Sequence, residues 1–227
     1  FTVFLGSAPM KVYRSFTGKS LFWLSVLALV LIFGGMKFWV LAATLASMMT
    51  LVGTYADLEE HNHGVEYSGS CALMMTTILQ AAGFAVWVSM TGAGWYNTLL
   101  SWAEKAAAPY TQVTGVKLDM ASLLAQAPSG VITVSVLSLF VMLVLENRVR
   151  FLAGLPPKDQ KGILDFRLPD AFVWIFAASM LGSFLKYDIK SVQVLSMNVF
   201  NVVIVLYFLQ GMAVVLRVFE TFRVGAF

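Results

Sequence analysis

Two kinds of side chain in this sequence carry binding chemistry: a pair of histidines among carboxylates, and a scatter of amides inside apolar runs. His61 and His63 stand in DLEEHNHGVEY, with Asp57, Glu59, Glu60 and Glu66 around them. Imidazole nitrogens and carboxylate oxygens are ligands for divalent ions. The H-x-H spacing puts both rings on one face only in a strand, and nothing here alternates as a strand does. A helical HExxH arrangement is absent, so a hydrated turn between helices is expected and no metal or other cofactor. The amides are Gln80, Asn198, Asn201 and Gln210, joined by Tyr207. An unpaired amide in hydrocarbon is costly, so each requires a protein partner or a wet cavity. Two readings follow: these five residues bind a ligand, or they clamp neighbouring helices. Asn198 and Asn201 lie three residues apart and share a helical face. Four polar side chains on one helix predict that it is central in its bundle.

The elements that must position them follow from composition. Of 227 residues, 59% are hydrophobic and 12% charged, against roughly 45–50% and 25% in soluble domains. So few charges cannot cover the surface of a chain this size, which excludes a water-soluble enzyme and predicts an integral membrane protein. A bilayer core of about 30 Å takes about 20 helical residues. Apolar windows near 20–36, 38–56, 70–90, 129–146, 170–186 and 192–216 predict six spans in a single transmembrane domain over 1–227. The windows are apolar on consecutive residues, whereas barrel strands alternate, so the fold class is all-α: a polytopic transmembrane helix bundle. The first residues, FTVFLGSAP, read as the tail of an apolar segment.

Alternation of the spans puts segments 11–19, 57–67, 147–168 and 217–227 on one face. That face holds Lys11, Arg14, Lys19, Arg148, Arg150, Lys158, Lys161, Arg167, Arg217 and Arg223; the other holds Lys37, Lys105, Lys117, Lys186 and Lys190. The excess assigns the first face, and the C-terminus, to the cytoplasm. Residues 92–128 predict short interfacial helices with Trp95, Tyr96, Trp102 and Tyr110 at headgroup depth. This connector either packs over the bundle mouth or caps a ligand cavity. Segment 147–168, with Pro156 and Pro157, reads as a solvated connector.

Small residues mark where helices approach. Ala42-x-x-x-Ala46 is a small-xxx-small pair, and Gly83 and Gly211 are further packing positions. Cys71 is the single cysteine, without a disulfide partner in the chain. No charge falls in mid-span, which argues against proton coupling. No Walker loop, dinucleotide-binding glycine pattern or serine elbow occurs, so no enzymatic activity is expected. Expected partners are the lipid bilayer and either another membrane subunit or a second copy; nucleic acid is not among them.

Several short motifs resemble a family of uncharacterised bacterial multi-spanning membrane proteins that includes a sporulation-associated Bacillus member. They are Ala8-Pro9-Met10 with Tyr13, Arg14 and Gly18, then Leu168-Pro169, and the final run from Asn201 through Tyr207, Gln210 and Gly211 to Val215. The resemblance covers about residues 4–216 and implies a proline turn and basic loop near the start. That family is distantly similar to the substrate-binding subunits of energy-coupling-factor transporters. The implied role is that of a small-molecule-binding transporter subunit in a bacterial inner membrane, with Ala42 and Ala46 meeting a partner subunit. The alternative is a non-catalytic structural or regulatory subunit of a membrane complex.

Overall fold

The computed structural model describes residues 2–116, 118–158, 166–185 and 190–222. Lys117, Lys161, Lys186 and Arg223, counted above for orientation, lie outside them. The described residues form α1 (Thr2–Gly35), α2 (Trp39–Glu60), α3 (Val65–Thr91), α4 (Trp95–Thr114), α5 (Met120–Ala125), α6 (Ala127–Leu152), α7 (Ala171–Phe184) and α8 (Lys190–Thr221), with one 3-10 turn at Gly92–Gly94. Among them there is no strand. Five stretches, within α1, α2, α3–α4, α6 and α8, are long and apolar enough to cross a membrane. The sixth expected span, α7, has only 14 residues. At about 1.5 Å per residue it is near 21 Å long, short of a ~30 Å bilayer core.

The contacts divide the chain into two units, 1–80 with 132–169 and 205–227, and 81–131 with 170–204. The first unit is built around α1 and α2. Helix α1 is two helices joined at Gly18, whose φ of 75° and ψ of 169° break the helical path. Only glycine adopts that conformation readily. The arm 19–35 then runs back antiparallel to α2. Phe22 and Trp23 lie where a Cβ on Gly53 would stand, at 2.7 and 2.8 Å, and Trp39 is 3.2 Å from that position on Gly34.

The arm 2–17 corrects the expectation of a proline turn and basic loop there. It is helical through Pro9, a break in backbone bonding that neighbouring helices and side chains offset inside membranes. Ser7, Lys11 and Arg14, at i, i+4 and i+7, form one buried face, 1, 2 and 3% exposed. The apolar core of this unit joins Ala8 to Leu51, Val52 and Tyr55 of α2, Ala72 of α3, and Leu139, Met142 and Leu143 of α6. Helices α2 and α6 are the most buried candidate spans, at 44 and 39% of their apolar windows, against 17% for α8.

In the second unit the chain turns at Gly92, φ 68°, which needs no Cβ to be accommodated. It then folds α4 back along the end of α3. Trp87 meets Trp102 with ring centroids 5.6 Å apart, and Phe84 meets Trp95 edge-on at 5.9 Å. None of the α4 residues is buried. A helix of this kind with Trp102 and Tyr110 about half exposed suits the headgroup layer. Asp119 caps α5, accepting from the N–H groups of Ala121 and Ser122 at 3.1 and 3.3 Å. Helix α7 packs antiparallel to α8. Phe176 meets Phe200 at 5.5 Å, and Ser196 lies against Gly182.

Candidate functional site

The strongest chemistry lies at one end of the first unit, where the arm 2–17, α2 and α6 finish together. Lys11 donates from Nζ to Glu146 Oε2 at 2.5 Å and lies 3.0 Å from Glu59 Oε2. Its ammonium also stands 4.7 Å from the ring centroid of Tyr55, within cation–π range. One turn on, Arg14 pairs with Asp57 at 2.7 Å and with Glu60 at 3.0 Å. Asp57 further takes Lys19 at 3.1 Å and the indole N–H of Trp23 at 3.2 Å. Lys158 reaches Glu59 at 2.7 Å, and Arg150 approaches Glu146 at 4.0 Å. Five cations thus face four carboxylates, with the Lys11 and Glu146 side chains only 3 and 5% exposed.

Local structure explains how each member arrives. Asn62 takes the left-handed conformation, φ 60°, that a short polar side chain tolerates, and His63 N–H reaches Leu58 O at 3.3 Å. This closes α2 just after its acidic last turn. His61 accordingly sits in the cap, its Nδ1 2.6 Å from Asp57 O, while His63 lies 4.9 Å from the Tyr67 ring. Among the described residues no three His, Cys, Asp or Glu side chains gather to hold a metal ion. After α6, Leu155 N–H returns to Arg150 O at 2.9 Å. Asn147 exchanges two hydrogen bonds with the backbone of Lys158, at 2.8 and 2.9 Å, and Arg150 Nε donates to Pro156 O. The described part of segment 147–168 is thus a strap tied at Asn147 and Arg150 that delivers Lys158 to Glu59, while residues 151–154, 156 and 157 stay exposed, as expected of a solvated connector.

The network is not fully satisfied. Arg14 Nε and the Tyr55 hydroxyl are buried without a hydrogen-bond partner among the described residues, as is Ser138 Oγ. Ser7 donates to the backbone of Ser138 at 3.0 Å, about two turns of α6 deeper than Glu146. Taking charges out of water costs several kcal/mol per ion unless geometry and extra hydrogen bonds offset it. Replacing a buried ion pair by apolar residues is often neutral or stabilising, whereas removing one partner is strongly destabilising.

The amides named from sequence are placed as follows. Asn198 Oδ1 accepts from Ser129 N–H at 2.9 Å, and its Nδ2 donates to Ala125 O and Val194 O, both at 2.8 Å. Asn201 Nδ2 donates to Gln126 Oε1 and Ser129 Oγ, each at 3.3 Å. The two residues thus pin α8 to the α5–α6 junction. Gln80 is half-buried on α3, and Tyr207 is half-buried on α8. Gln210 belongs with Phe166, Arg167, Val214, Arg217, Val218, Thr221 and Phe222 around a cavity of about 370 Å³. Thr44, Ser47, Thr76 and Thr77 each bond a carbonyl one turn back in their own helix, at 2.8 Å.

Of the packing positions, Ala42 is buried and Ala46 half-buried. Their stripe continues at i+7 and i+11 to Met49 and Gly53, where Phe22 and Trp23 of α1 pack. Among the described residues nothing lies within 4 Å of where the Cβ atoms of Gly83 and Gly211 would stand. Helices approach closely instead at Gly53 and Gly182. Sequence reasoning misses the buried ion network, because its members look like charges on separate connectors. The Ser7, Lys11, Arg14 spacing is the available signal.

Comparison with curated proteins and with solved structures gives no significant match. The profile of the family described as "Predicted membrane protein (DUF2232)" matches residues 1–227. A profile match over the whole chain agrees with the apolar helices described above, and the chain belongs to this membrane protein family.

Proposed function

We propose that the chain is a non-catalytic, transport-type subunit of a bacterial inner membrane, and that the Lys11–Glu146–Glu59 network is its closed latch on the cytoplasmic face. One observation carries this reading: a lysine 2% exposed in a helix, held by two carboxylates from two other helices. Ionisable groups buried in a membrane bundle mark pathways or switches by default. The flanking hinge at Gly18 and the partnerless Arg14 Nε and Tyr55 hydroxyl suit an element with a second arrangement. The Lys/Arg excess supports a cytoplasmic placement of this end and of the end of α8.

The test places a cysteine in the protected core below the latch. Ser138 is 2% exposed, so a Ser138→Cys thiol in a Cys71→Ser background is expected to resist a membrane-impermeant maleimide in sealed vesicles. Adding Glu146→Gln is expected to make that thiol reactive from the Lys11 face. Protection in both proteins, with the fold verified by an unchanged elution profile, contradicts the latch.

A second reading, a structural or regulatory subunit of a membrane complex, is favoured by the amide clamp. Asn198 uses its carbonyl and both N–H donors inside the chain, which leaves it no donor for a solute. On that reading the introduced thiol stays protected in both proteins, and a second membrane subunit copurifies at fixed stoichiometry.

A further inference from the structure

Helix α7 is too short for the bilayer, and its packing on α8 shows which end falls short. Phe176 meets Phe200, and Gly182 meets Ser196, so the two helices run antiparallel in a fixed register. The C-cap of α7, Leu185, then stands level with about residue 192 of α8, close to Lys190 where the apolar run of α8 begins. Asp170, at the other end, stands level with about residue 207, which is about ten residues or about 15 Å short of Arg217. The charge-free run of α8, 191–216, is about 39 Å long. A core of about 30 Å centred on it ends about 5 Å before Arg217, which leaves Asp170 about 10 Å inside hydrocarbon. Arg167 gives the same depth from the other direction. It lines one cavity with Gln210, Val214 and Arg217, and the chain continues from there to Asp170. Segment 166–169 is not helical, and Pro169 and Asp170 are exposed. Non-helical backbone persists at membrane depth only where it is buried in protein or lines water, and exposure leaves the second. The Asp170 carboxylate caps no N–H of α7 and joins no ion pair among the described residues. The titratable groups among the described side chains of α8 are Lys190, Tyr207 and Arg217, with Arg167 on the segment that leads to Asp170. A charge at this depth is costly, and a proton neutralises it. A single carboxylate suits a proton better than Ca²⁺ or Mg²⁺, which take about six oxygen ligands. The apolar windows put Asp170 at the edge of an expected span, whereas the α7–α8 register puts it inside the membrane.

We infer that Asp170 is an intramembrane carboxyl, reached by water from the Arg217 face along residues 166–169, and that it binds and releases a proton there. The inference uses no residue of the ion network and does not depend on the latch. The experiment uses the full chain in sealed membrane vesicles of either orientation. Dicyclohexylcarbodiimide, which enters hydrocarbon and reacts with protonated carboxyls, is expected to modify Asp170 at a rate that falls as the pH rises, read by peptide mass spectra. Asp170→Asn, with an unchanged elution profile, should lose that adduct. In a Cys71→Ser background, Asp170→Cys should react with a charged, impermeant methanethiosulfonate from the Arg217 face only, and more slowly than Ala153→Cys in the exposed segment after α6. Val173→Cys, one turn deeper and 54% exposed, should lose the reaction because its surroundings are lipid. No adduct at Asp170 at any pH overturns the proposal. So does an Asp170→Cys thiol that is inert from both faces, reacts from the opposite face, or is matched by Val173→Cys. Reaction as fast as that of Ala153→Cys also overturns it, since residue 170 would then lie at the membrane surface.

Discussion

The ion network of the first unit and the amide clamp of the second solve one problem, polar groups among apolar helices, in opposite ways. Around Asn198 and Asn201 the groups are neutral and half-buried, and their partners are backbone and side-chain atoms of the α5–α6 junction and of α8 itself. Around Lys11 they are charged and shared among three helices and a strap, with the Lys11–Glu146 pair nearly dry. Neutral amides can fail one hydrogen bond at a time. Charges cannot: removing one partner leaves its counterpart buried and uncompensated. The clamp therefore behaves as a set of separable contacts, while the network behaves as a unit that is either closed or rearranged.

The largest effect expected from this contrast is at Lys11 and Glu146. Lys11→Met or Glu146→Gln should each destabilise the protein by about 3–5 kcal/mol, read as a lowered thermal midpoint in lipid nanodiscs. A shift no larger than that of an exposed lysine variant would place both systems in the same class. Next comes Gly53→Ala. Its Cβ would stand 2.7–2.8 Å from Phe22 and Trp23, and these are large rings in a packed seam, so about 1–3 kcal/mol is expected. Gly182→Ala should cost at least as much, since its Cβ would stand 2.8 Å from the Cβ of Ser196, which is fixed to the backbone and cannot rotate away.

The clamp should yield intermediate losses. Asn198→Ala removes three hydrogen bonds, and at about 0.6 kcal/mol each in a membrane the expected loss is near 2 kcal/mol. Asn201→Ala removes two longer bonds and should cost less than Asn198→Ala; the reverse order would show that bond length does not govern the clamp. The smallest effect belongs to Lys19→Ala. Its side chain is 58% exposed, and exposed ion pairs contribute about 0–1 kcal/mol, diminishing further in high salt.

The contrast also explains what was legible in the sequence. The helical class followed from apolar windows, because backbone groups in lipid must be satisfied within a segment. The amides stood out because a polar side chain inside an apolar run is conspicuous. Their partners were not visible, since Ala125, Gln126 and Ser129 lie about 70 residues away in sequence and half of their contacts are made by backbone atoms. Lys11, Asp57, Glu59 and Glu146 were hidden for the opposite reason. Each sits near the end of an apolar run, where a charge ordinarily marks a connector, and only the fold brings 11, 59 and 146 together. Glycine was ambiguous in the same way: among the described residues Gly53 and Gly182 meet a neighbouring side chain and Gly83 and Gly211 meet none, although all four stand in apolar helices.

The most direct test of the buried network is a double-mutant cycle on Lys11→Met and Glu146→Leu, followed by thermal unfolding in nanodiscs. A closed, dry ion pair predicts that each single variant is strongly destabilised and that the double variant recovers most of the loss, because two apolar side chains replace two buried charges. Losses that simply add, or single variants as stable as the parent, would mean that Lys11 and Glu146 are not a buried pair, and the latch would fall with them.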